Sequence, residues 1–119
     1  SACSTAVGSP EAEMGFAGLA VAAGVRSAMA SLWSVSDVGT LALMSEFYEQ
    51  LQIQPTKSVA LQTAQLAMLS GEVRAIDGQL IGNAARSGVT LPSQLGTLGE
   101  TDFSHPYYWS GFTMIGSPW

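Results

Sequence analysis

At 119 residues the chain makes one domain at most, with room for a workable core. Charged residues are only 11% against 47% apolar, well below the usual quarter or so of charged residues, so such a chain buries sheet on both faces or leaves surface for something else to cover. The net charge of −5, four Lys+Arg against nine Asp+Glu with no basic run, argues against nucleic-acid binding.

The single cysteine, Cys3, cannot form an internal disulfide, and a cytoplasmic location is expected. One Cys and one His without clustered ligands make no zinc site, and neither a metal nor another cofactor is expected. The longest apolar run, Met14 to Val25, is about 12 residues and ends at Arg26. A bilayer span needs roughly 20 residues, so no membrane segment is expected. There is no signal peptide, and the start at Ser1 reads as a cut from a longer protein.

Residues 1–4 read as the end of a strand and Thr5 to Pro10 as a loop. Pro10-Glu11-Ala12-Glu13 opens a helix, with Pro early and two acids in the first turn, as the helix dipole favours. Its body, rich in Ala and Gly, suits close packing against a sheet, and Gly24 stops it. Val25 to Trp33 is short and mostly apolar, the pattern of a buried parallel strand, which completes a strand–helix–strand unit. Ser34 to Asp37 is a loop into a helix over Val38 to Leu51, with Val38, Leu41, Met44, Phe47, Tyr48 and Leu51 on one stripe. After Pro55-Thr56 a third helix is predicted from about Lys57 to Ala75, facing Ala60, Leu61, Ala64, Ala67 and Met68 inward. Asp77 to Ser104 shows no lasting periodicity and reads as one long surface loop. Tyr107 to Ile115 reads as a final aromatic strand.

Locally, Ser1-Ala2-Cys3-Ser4-Thr5 fits two descriptions. Cys3 is a small buried hydrophobe, or it is a nucleophile exposed at a strand tip, with the small-Cys-polar shape of a caspase site but no Gly directly after. Taken in order, Ala2-Cys3-Ser4-Thr5, Gly18-Leu19-Ala20, Ala23-Gly24-Val25, Ser31-Leu32-Trp33-Ser34-Val35-Ser36-Asp37, Phe47-Tyr48-Glu49-Gln50-Leu51, Ala60 to Leu66 and His105-Pro106-Tyr107-Tyr108-Trp109 resemble the CHAT family. These are caspase- and separase-like cysteine peptidase domains, often attached to tetratricopeptide repeats in bacteria. The ending from Phe112 to Trp119 is similar to cyanobacterial members.

The resemblance implies an α/β chain that is the C-terminal part of a caspase-like three-layer α/β/α fold with a mostly parallel sheet. All of residues 1–119 would belong to that one domain, its N-terminal part being absent. It implies that Cys3 is the nucleophile and that its imidazole partner comes from a His-Gly motif upstream of the cysteine strand. The fragment alone would then be inactive. His105, the only histidine, introduces the last strand in the family and is not the catalytic motif. Asp37 is open between a helix-start acid, satisfying free backbone N–H groups, and a substrate-binding group selecting Arg or Lys, with Ser34 beside it in the same loop. The implied partners are a protein or peptide substrate, the missing half of the domain and tetratricopeptide repeats. An open strand edge also points to pairing or oligomerisation. The other reading is a CHAT-like scaffold that has lost activity and serves as a signalling interaction domain.

Overall fold

The computed structural model describes residues 10–82, 89–95 and 99–119, apart from the side chains of residues 10–14 and 16. The strand expected over residues 1–4, and Cys3 with it, lies outside the described residues.

Helix α1 (Pro10–Ala22) begins at the proline and ends at the predicted glycine stop. Strand β1 (Ser27–Ser31) follows and pairs antiparallel with the last strand, β6 (Phe112–Gly116), in register Met29↔Met114. Side chains alternate across a strand, so Met29, Phe112 and Met114 share one face, where they pack against the core formed by the helices α2 and α3. Ala28, Ala30, Thr113 and Ile115 share the other face, the one that α1 packs against. Small residues on both partners, with Ala17 of α1 buried at 4% exposure, bring that helix close to the strands. The α/β class holds, but among the described residues every strand pairing is antiparallel. Strand β1 is half-buried throughout rather than fully buried.

Helices α2 (Asp37–Gln50) and α3 (Lys57–Leu69) pack on each other. Each opens with a hydroxyl cap: Ser36 Oγ accepts from the Gly39 N–H at 3.3 Å and Thr56 Oγ1 from the Val59 N–H at 3.2 Å. The inward set expected for α3, Ala60, Leu61, Ala64, Ala67 and Met68, is the buried set. On α2 the buried face is Gly39, Ala42, Leu43, Glu46, Phe47 and Gln50, and Tyr48, expected on the inner stripe, is exposed. The stripe is turned because two polar residues lie inside it. Gln50 Nε2 donates to Glu46 Oε1 at 3.1 Å, and Gln54 Nε2 donates to Gln50 Oε1 at 3.0 Å, which satisfies groups that are costly to bury alone.

Two expectations need correction. Helix α3 stops at Leu69 instead of running to Ala75. The Gly71 N–H donates to the Met68 carbonyl and the Glu72 N–H to the Ala67 carbonyl, both at 3.1 Å, the paired bonds of a Schellman ending. The segment read as a long loop carries a second sheet of four short antiparallel strands, β2 (Arg74–Ile76), β3 (Gln79–Ile81), β4 (Val89–Thr90) and β5 (Glu100–Asp102), in the order β4-β3-β2-β5. Asp77 and Gly78 turn β2 into β3 with φ of 46° and 78°, the two positive φ values of a type I′ hairpin. Ala75, Leu80, Leu91 and Phe103 carry this sheet into the helix core. At its rim Arg74 pairs with Glu100 at 3.1 Å. The carboxyl of Asp102 is held below the usual range by hydrogen bonds from Ser104, with Arg74 adding a smaller effect.

The chain end is strapped down. The Ser117 N–H donates to the Arg26 carbonyl at 2.8 Å, the Lys57 N–H to the Pro118 carbonyl at 2.7 Å, and Lys57 Nζ to the Trp119 carbonyl. Gly116 makes the approach possible: its φ is 100°, and a Cβ there would stand 2.6 Å from the Arg26 carbonyl oxygen. Gly116→Ala is expected to destabilise the fold by about 2–4 kcal/mol. Urea unfolding checks this, and a loss below about 0.5 kcal/mol, the size of a neutral surface change, would contradict the strapped geometry.

Candidate functional site

The loop from Trp33 to Asp37 leaves the C-terminal end of β1 and enters α2. Ser36, not Asp37, is the cap of that helix, and Asp37 is its first-turn acid with an exposed side chain. Ser34 is exposed as well.

Opposite this loop stands the segment that was expected to begin the last strand. Instead of extending from Tyr107, the chain forms a single 3-10 turn over Pro106–Tyr108, and β6 starts at Phe112. Proline in the first position presets the turn. His105 caps it, its Nδ1 accepting from the Tyr107 N–H at 3.1 Å, and the Ser110 hydroxyl donates to the Pro106 carbonyl at 2.8 Å. The Nδ1 of His105 is thus engaged in the turn.

Loop and turn are joined reciprocally. Trp33 Nε1 donates to the Tyr107 carbonyl at 3.1 Å, and the Tyr107 hydroxyl donates to the Ser34 carbonyl at 3.0 Å. Gly111 lies against the Trp33 indole, where a Cβ would come within 2.7 Å of Cε2. The turn is also held from beneath by α3: Gln65 Nε2 donates to the carbonyls of Trp109 and Phe112 at 3.0 and 3.2 Å. Trp109 Nε1 donates to the Ser104 carbonyl at 3.2 Å. Gln65, one of two glutamines on α3, carried no sequence signal for this clamp.

So Ser34 and Asp37 sit in one loop whose approach to the C-terminal half of the chain was not expected. The loop lies beyond the carboxyl end of β1. Among the described residues no group of three or more His, Cys, Asp or Glu side chains is placed to hold a metal ion. No helix described is long and apolar enough to cross a membrane.

The CHAT domain family matches residues 1–117, nearly the whole chain. The chain belongs to the CHAT domain family. It is therefore a member of a caspase-like cysteine peptidase family, and the matched span takes in Cys3 at one end and the Trp33-to-Asp37 loop and the Pro106–Tyr108 turn further on. No curated protein and no solved structure matches it closely enough to add a relative.

Proposed function

We propose that this CHAT chain is the nucleophile-bearing, C-terminal part of a cysteine endopeptidase domain that hydrolyses peptide bonds in a longer protein. The observation that carries the reading is the family match, which begins at residue 1 and includes Cys3. In the complete domain the sheet is the mostly parallel one of caspase-like folds, and the upstream part supplies a histidine. The imidazole takes the Cys3 proton and the thiolate attacks the scissile carbonyl carbon. The carbonyl electrons move onto oxygen, which the Cys3 N–H helps to hold. Collapse of that intermediate expels the amine, which takes the proton from the imidazolium. Water then hydrolyses the thioester with the same imidazole as base. Without that histidine the chain alone is inactive.

The exposed Asp37 carboxylate and the Ser34 backbone receive the residue before the cut, and the acid favours Arg or Lys there. Asp37 stands at the start of α2, on the loop that leaves β1, which supports this role.

The test uses the longer protein and an electrophilic peptide with Arg before the warhead. Labelling is expected at Cys3. In Asp37→Ala the preference for Arg over a neutral residue is expected to fall about ten- to a hundredfold, the size of a charge-assisted contact. No modification of Cys3 sinks the peptidase reading. An unchanged preference in Asp37→Ala removes only the assignment of that residue.

A further inference from the structure

We infer that Tyr107 is a positioning residue, which holds the Trp33-to-Asp37 loop in the conformation that substrate meets. The inference rests on the reading above for what the loop does, but its geometry stands independently. Tyr107 is 44% exposed, so its ring adds little to the core. Its hydroxyl nevertheless reaches a main-chain carbonyl 73 residues away, at Ser34, while its own carbonyl receives the Trp33 indole N–H from 74 residues away. An exposed carbonyl finds water readily, so these bonds contribute modestly to stability. What two opposed bonds between the same neighbours do is fix the orientation of the Ser34 peptide.

The other end of the loop is seated on the next residue of the turn. Gly39, in the first turn of α2, lies so close to Tyr108 that a Cβ there would be 2.8 Å from the ring's Cδ1. Tyr108 meets the fully buried Phe103 edge-on, with ring centroids 5.3 Å apart, and Tyr107 meets Tyr108 in the same manner at 5.4 Å. Consecutive tyrosines thus bracket the segment, Tyr107 at Trp33 and Ser34, Tyr108 at Gly39. Between them lie only Val35, Ser36, Asp37 and Val38. The core reaches the loop through Phe103, Tyr108 and Tyr107 in turn, and Asp37 takes its place from both anchors.

Tyr107→Phe in the longer protein removes the hydroxyl and keeps the ring. Amide hydrogen exchange at residues 34–38 is expected to quicken about five- to tenfold, with exchange in α3 unchanged. KM for an Arg-containing peptide rises by a similar factor while kcat holds. Trp33→Phe, which lacks the indole donor, gives the same two changes, and the double variant adds little to either single one because the two bonds act as one clasp. Unchanged exchange at 34–38 overturns the inference, as does faster exchange spread evenly over the chain. Loosened exchange with KM unaltered overturns it too. If the unaltered protein cleaves no peptide, it is the peptidase reading that fails, and the exchange pattern alone decides whether Tyr107 holds the loop.

Discussion

Replacing Phe103 by alanine is expected to destabilise the protein by about 3–5 kcal/mol, the range for deleting a buried aromatic ring. Phe103 has no exposed surface and, among the described residues, is the largest of the fully buried side chains. It directly follows β5, so its ring ties the small sheet to Leu43 and Met68 of the helix pair in one core cluster. Its edge-on contact with Tyr108 adds an aromatic pair to the burial itself. A cavity at this point therefore loosens three parts at once: the second sheet, the α2–α3 pair and the aromatic turn. Against a total of about 5–15 kcal/mol for a domain, that loss leaves a marginal fold. The measurement is the urea midpoint, with the slope unchanged if the transition stays two-state. Ile53→Ala is the control: that side chain is 72% exposed, and its loss is expected to stay within about 0.5 kcal/mol. If Phe103→Ala matched the control, the second sheet would not be packed on the helices as described.

The second large effect concerns chemistry. If the proposed peptidase reading holds, Cys3→Ala in the longer protein lowers kcat for peptide cleavage on the order of 10³-fold or more, with KM little changed, because a nucleophile acts in the chemical step and not in binding. Purified Cys3→Ala protein that still cleaved at a tenth of the normal rate would exclude Cys3 as the nucleophile. The contrast with Asp37→Ala is diagnostic. A lost nucleophile abolishes turnover of every substrate, whereas a lost specificity acid changes which substrates are turned over.

How much of this was legible beforehand depends on the length of each element. The three helices span three or more turns, and their signals are strong: Pro10 at the start of α1, hydroxyl residues before α2 and α3, and an alanine-rich inner face on α3. The strands of the second sheet have two or three residues each, too few for alternation to show. Two local signals went unused: the Asp77-Gly78 pair of a tight hairpin, and Gly71 just past the end of α3. The glycines between Asp77 and Ser104 read instead as loop punctuation.

The sequence by itself settled the family, through ordered local motifs from Cys3 to Trp109 and the matched span of residues 1–117. It also settled where the helices α1, α2 and α3 begin and the inner face of α3, because these depend on neighbours within four residues, though not where α3 ends. Only the tertiary structure decided the turn of α2 that buries Glu46 and Gln50, the antiparallel pairing of β1 with β6, and the seating of Ser34 and Gly39 on Tyr107 and Tyr108. The strand pairing and the tyrosine contacts join residues some 70 or more positions apart, such as Trp33 with Tyr107. No local spacing encodes which distant carbonyl an exposed tyrosine will meet.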